Sequence, residues 1–187
     1  MSQADSLKNQ LLIAMPSLQD PNFSRTVTYI CEHGDHGAMG IVINRPTELR
    51  LADVLQHMQI DGSLGGAGEQ IVYLGGPVEE ERGFVLHTHT DPWDSTLPVD
   101  KDISITTSRD ILAAMARGDG PQRTLVALGY AGWGAGQLER EIQDNAWLSG
   151  PTDQAILFEL PADQRWEAAA RLLGVDVNLL SSEAGHA

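Results

Sequence analysis

Cys31 is the only cysteine of the chain, and Glu32, His33, Gly34, Asp35 and His36 follow it directly. A neighbouring imidazolium lowers a thiol pKa and favours the nucleophilic thiolate, whereas nearby carboxylates and burial raise it. With no second thiol in the chain, oxidation could give only a mixed or intersubunit disulfide or an oxidised sulfur. Cys31 is therefore a redox-sensor candidate. The competing reading is a small buried apolar residue, the commonest fate of a free cysteine.

The same segment contains metal-ligand types, as Cys31-x-His33 with His36 nearby, and His87-x-His89-x-Asp91 forms a second such pattern. Alternate positions on a strand share one face. Neither pattern has a second ligand pair at zinc-site spacing, so no metal is expected.

A third candidate is "GYAGWGAGQLEREI", residues 129–142, where four glycines are interleaved with Tyr130 and Trp133. Backbone N–H groups at a helix start attract anions, so Trp133, Gly134, Gly136 and Gln137 are ligand-loop candidates. No Lys-Ser/Thr pair follows, which rules out a phosphate P-loop, and the three-glycine dinucleotide fingerprint is missing. The structural alternative assigns the glycines to a strand-to-helix connection, the aromatics to the core and Glu139 to the first helical turn. Glu139 and Glu141 stand roughly 200° apart on a helix and form no same-face pair. With no G-x-S-x-G elbow and no H-E-x-x-H helix, no catalytic residue and no cofactor are assigned.

The elements that must position these residues begin with strands at "LLIAM" (11–15), "TVTYIC" (26–31) and "AMGIVIN" (38–44), the last two joined by a hairpin at "EHGDHG". "LRLADVLQHMQI" places Leu51, Val54, Leu55 and Met58 on one helical face and is followed by a Gly-rich loop, "DGSLGGAGEQ". Further strands are predicted at "IVYLG", "GFVLHT", "ISIT", "TLVALGY" and "AILFEL", with "GPVEEER" as a solvated turn. Helices are predicted over "TTSRDILAAMARG", with Thr107 and Asp110 in a capping-box arrangement, over "QLEREIQDNAW", and from Pro161 to Gly174. Early strands and scattered helices, without a regular βαβ rhythm, indicate α+β.

The chain has 187 residues, a length that suits a single domain spanning 1–187, and its last residues, "SSEAGHA", read as a flexible tail. The N-terminus lacks a basic lead and its apolar run is too short for a secretory signal, so a cytoplasmic location is expected, with no membrane association. The net charge of −14 and the presence of only two lysines, Lys8 and Lys101, argue against direct nucleic-acid binding, which draws its affinity from cations on phosphates.

Six segments in order, "LLIAMPSLQDPNF", "GAMGIVINRP", "YLGGPV" with "GFVLH", "LGYAGWGAGQLEREI", "AWL" and "RW", resemble the YqgE/AlgH family over residues 7–180. The resemblance implies bacterial cytosolic proteins often labelled transcriptional regulators, belonging to no established enzyme class. It implies an α+β fold with a branched, antiparallel-rich β-sheet curled into a pseudo-barrel and several surrounding helices. Most matched positions are turn formers, caps or core aromatics; Asn44, His87 and Gln137 are polar and less readily assigned to packing, and Asn44 and His87 join the ligand-loop candidates. The expected function is that of a regulatory or interaction protein acting through a protein partner. The alternatives are a ligand-binding protein or enzyme that uses the loop before Gln137, and a thiol sensor at Cys31.

Overall fold

A computed structural model describes residues 6–60, 68–88 and 92–176. Along the chain run β1 (Gln10–Ala14), β2 (Val27–Gly34), β3 (Gly37–Val42), β4 (Pro46–Arg50), α1 (Leu51–His57), β5 (Ile71–Leu74), β6 (Val78–Thr88) and β7 (Thr96–Pro98). There follow β8 (Ile103–Thr106), α2 (Arg109–Ala116), β9 (Thr124–Gly134), α3 (Gln137–Gln143), β10 (Trp147–Pro151), α4 (Gln154–Phe158) and α5 (Ala162–Leu172). The strands pair in the order β10-β1-β2-β3-β9-β6-β8-β7, with β4 and β5 off this path. All pairings are antiparallel except that of β5 with β9. The architecture is α+β, a branched sheet curled into a half-barrel with helices around it. Asn9 spans the curl, its side chain donating to Asp100 Oδ2 at 2.9 Å and accepting from the Tyr29 hydroxyl at 2.6 Å.

Period-two alternation explains how one sheet serves three cores. Leu11, Ile13, Tyr29, Cys31, Leu86, Ile103 and Leu125 point inside the curl, where Trp166, Ala169 and Ala170 of α5 and Ile156 and Leu157 of α4 pack on them. Their neighbours Val72, Val85 and Val126 face outward against Leu51 and Leu55 of α1 and Ile111, Leu112 and Met115 of α2. On another outer stretch, Leu12, Ala14 and Ile30 meet Trp133, Leu138 and Trp147.

The branch lies in β9, where the alternation changes phase. Leu125 and Ala127 face the interior, yet so does Tyr130, while Ala131 and Trp133 face outward. Gly129, at φ +80°, supplies the extra step. Before it, Val126–Leu128 pair with β5 in parallel; after it, Ala131–Gly134 pair with β3. A left-handed residue inside a strand is what makes such a bulge.

Several sequence expectations need correcting. "AILFEL" is helical over α4, because Asp153 caps it by accepting the Ala155 N–H at 2.8 Å; a short apolar run cannot by itself separate strand from helix. The helix at Gln137 stops at Gln143, Asn145 turns left-handed at φ +63°, and Trp147 opens β10 instead of ending the helix. The stretch before that helix is still strand, since β9 continues to Gly134. "VEEER" belongs to β6: Val78 opposes Tyr130 and Gly83 opposes Leu128, so residues 79–82 bulge from the ladder and do not form the connecting turn. At α2 the N-cap is Ser108, not Thr107, and its hydroxyl bonds to the Asp110 carboxylate at 2.5 Å without capping the backbone. No local sequence pattern signals the short strands β4 and β7. The Gly-rich loop falls largely, and the C-terminal tail wholly, outside the described residues.

Candidate functional site

The glycine stretch is built around a carboxylate. Gly136, at φ +74°, is the N-cap of α3, and the first helical residue, Gln137, folds its side chain back so that Oε1 accepts the Gly134 N–H at 2.9 Å. Gln137 Nε2 donates to Glu141 Oε2 at 2.9 Å, the i,i+4 spacing that places both on one helix face. Glu141 Oε1 accepts both indole N–H groups, from Trp133 at 3.0 Å and Trp147 at 2.9 Å. The two indoles meet edge to face at 6.0 Å, and Phe23 packs on both. Of the ligand-loop candidates, Trp133, Gly134, Gly136 and Gln137 are thus brought together, with the Gly134 donor already engaged.

Asn44, His87 and Cys31 lie elsewhere. Asn44 ties two backbone segments, accepting from the Val27 N–H at 2.9 Å and donating to the Arg25 carbonyl at 2.9 Å. His87 is buried on β6, with Nε2 2.7 Å from the Thr106 hydroxyl, which in turn lies 2.8 Å from that of Thr96. Cys31 is fully buried, and burial above all, with help from Glu32, pushes its thiol pKa well up against a small opposing effect of Lys8. His33 does not serve the thiol: its Nδ1 accepts the Leu7 N–H at 2.8 Å, so Nε2 carries the proton and donates to Glu139 at 2.9 Å. Backbone hydrogen bonding and His33 hold the Glu139 carboxyl below its ordinary pKa. Among the described residues no three His, Cys, Asp or Glu side chains are grouped to hold a metal ion; His89 and Asp91 lie outside them. Among the described residues no helix is long and apolar enough to cross a membrane.

Trp133 has a second role, as one wall of a cleft of about 760 Å³ at a margin of the curl. Its lining includes Met39, Phe84, Ile105 and Tyr130, which belong to or pack on the interior core. Phe84 and Tyr130 meet edge to face at 5.7 Å. Leu97 on edge strand β7 and Val78 are 37% and 36% exposed beside them, unusual for aliphatic side chains in strands of this sheet. Among the described residues, Glu32, Glu79 and Asp94 stand around the opening with one cation, Arg82, whose guanidinium lies 5.4 Å over Phe84 and 3.6 Å from Glu79. The bulge at 79–82 brings Glu79 and Arg82 there. Such a cleft suits an apolar group flanked by positive charge. Sequence reasoning misses this cleft: Tyr130 reads as a core aromatic, Phe84 lies within a predicted strand, and Leu97 falls outside every predicted element; the solvated "EEER" run is the one visible signal.

Residues 11–178 match the family model described as AlgH-like. The chain is 60% identical over 187 residues to a UPF0301 protein of Thioalkalivibrio sulfidiphilus, covering all of both chains. It is 56% identical over 185 residues to one of Methylococcus capsulatus, covering 99% of this chain and 98% of the relative. The solution structure of the AlgH protein from Pseudomonas aeruginosa superposes with a TM-score of 0.81 at 50% identity, covering 100% of this chain and 99% of that one. A crystal structure from Corynebacterium diphtheriae shares the fold with a TM-score of 0.74 at 18% identity, covering 92% and 90% of the two chains.

Proposed function

The chain belongs to the AlgH-like family, and from that premise we propose that it is a cytosolic regulatory protein that works by holding a segment of a partner protein in the concave cleft. The occupant is a short stretch with an apolar anchor flanked by Lys or Arg. One observation carries this reading: an aromatic floor of Phe84 and Tyr130, bordered by exposed Val78 and Leu97, opens between the carboxylates of Glu32, Glu79 and Asp94 and an arginine, Arg82, that is itself engaged. Exposed apolar surface with a polar rim marks interaction sites, and the rim charge selects a basic partner.

The same charge disfavours nucleic acid. A chain at −14 repels phosphates at long range, and the cleft adds carboxylates where a nucleic-acid groove would carry cations. The glycine loop offers less to a ligand, since Gln137 fills the Gly134 donor. A thiol sensor needs an accessible thiolate, and Cys31, on β2, is buried inside the curl.

The test is selection of displayed peptides on the purified protein, repeated with the double variant Glu79→Lys, Asp94→Lys. The expected outcome is enrichment of sequences with one or two large apolar residues beside Lys or Arg, lost with the variant. Enrichment without charge bias, or an unchanged set on the variant, would overturn the proposal.

A further inference from the structure

At the opposite end of β9 from the cleft, a second cavity of about 360 Å³ lies between β5, the start of β9 and helices α4 and α5. Two arginines line it, Arg165 and Arg123. Arg165 is only 4% exposed, yet no carboxylate pairs with it among the described residues. Its Nη1 donates to the Ile43 carbonyl and its Nε to that of Leu160 at 3.0 Å, and the guanidinium lies 5.0 Å over the Tyr73 ring. These partners are neutral, as is the Tyr73 hydroxyl with which the guanidinium also hydrogen-bonds. Burying an arginine without a counter-charge is costly, and desolvation holds this guanidinium below the ordinary arginine pKa despite the Tyr73 hydroxyl beside it.

The rest of the lining is also donor-rich. Arg123 meets Gln154 Oε1 and Glu159 Oε2, each at 3.2 Å, and is 39% exposed, so its fork is only partly used. Gln70 Nε2 donates to the Thr124 hydroxyl oxygen at 2.9 Å and to its carbonyl at 3.0 Å. Since that oxygen is already accepting, its own proton is left to donate. Leu125, Leu157 and Phe158 supply apolar walls.

We infer that this cavity is a binding site for a small oxyanion, a carboxylate or phosphate borne on a compact apolar body, gripped between Arg165 and Arg123. Guanidinium forks match both groups in geometry, and the volume lies at the small end of the range for ligand sites. In a chain of charge −14 the general field repels anions, so any saturable anion binding must come from a local arrangement such as this one.

The experiment titrates the full ¹⁵N-labelled chain with inorganic phosphate and, separately, with acetate, at ionic strength matched with sodium chloride. It follows the Arg165 side-chain Nε–H and the Leu125 amide. The expected result is a saturating shift at both positions, lost in the Arg123→Gln variant, whose change at a partly exposed side chain leaves the fold intact. Saturation by phosphate alone identifies a phosphate site, by acetate alone a carboxylate site, and by both a general oxyanion site. Shifts that stay linear with each probe, or that saturate equally in Arg123→Gln, would overturn the inference.

Discussion

The carbonyl oxygen of Gly76 occupies the space that a Cβ on Gly129 would need, and a Cβ on Gly76 would in turn overlap the Tyr130 carbonyl. The two glycines let the chain leaving β5 lie against β9 backbone to backbone, at the point where β9 exchanges β5 for β3. The branch of the sheet depends on that contact, and so does the cleft, because the change of phase at Gly129 turns Tyr130 inward.

Gly129→Ala should therefore cost much more stability than Gly136→Ala. Both residues have positive φ, worth roughly 1–2 kcal/mol of strain for an alanine, but a Cβ at Gly136 meets nothing within 4 Å whereas at Gly129 it meets backbone. Urea denaturation of the two variants gives the comparison. Equal losses would show that the close approach at the branch yields readily.

Glu141 is expected to be the most sensitive residue of the glycine stretch at residues 129–142. Glu141→Ala leaves two buried indole N–H groups without their acceptor, at about 1–3 kcal/mol each where water does not replace it. Glu141→Gln keeps an acceptor oxygen and should lose less. Gln137→Ala combined with Glu141→Ala should be less than additive, since Gln137 bonds to the carboxylate that has been removed. Denaturation followed by tryptophan fluorescence measures all three. An additive pair would mean that the two side chains act independently.

How much of this was legible in the sequence depended on the range of the interaction. Strands β1 to β3 and their hairpin are local patterns, and their positions follow from alternation and turn residues. Placing Trp133 in the core also followed from residue type. The role of Glu141 did not, because its two indole partners come from strands on either side of its helix, and helical periodicity treats a glutamate as a solvated face. Arg165 was equally hidden: a helix pattern places it beside Trp166, but its carbonyl partner on Ile43 is 122 residues away. The cleft was invisible for a related reason. Phe84, Tyr130 and Leu97 belong to three strands brought together only by the curl, and no spacing within one segment encodes them.

Burial of Cys31 sets an alkaline limit on stability. The folded thiol has a pKa raised above its unfolded value of about 8.5. The unfolded chain therefore loses its proton first as pH rises. The stabilisation is fully present below about pH 8.5 and is lost above it, by up to about 1.4 kcal/mol per pH unit. Tyr29, whose pKa burial also raises, adds the same sense of change above about pH 10. Cys31→Ala should flatten the profile between those two values, as followed by denaturation at a series of pH values. A profile identical in both proteins would mean that the thiol is accessible enough to ionise in the folded state, and would return the redox reading to consideration.

The cleft makes a prediction that separates binding from folding. Leu97 is 37% exposed on the edge strand, so Leu97→Asp should shift stability by no more than about 0.5 kcal/mol, as surface changes do. Phe84 is 3% exposed, and Phe84→Ala should cost about 3–5 kcal/mol because it opens the interior core. If the cleft holds a basic, apolar-anchored segment, both variants lose the selected peptide, the first without loss of fold. Asp94→Asn should act differently again, slowing association and lessening its dependence on salt while leaving dissociation nearly unchanged, because a rim charge steers encounter more than it holds the complex. Association and dissociation rates measured at two salt concentrations test this. If Leu97→Asp binds the peptide as the parent does, the exposed leucine is no part of the docking surface and the occupant lies elsewhere.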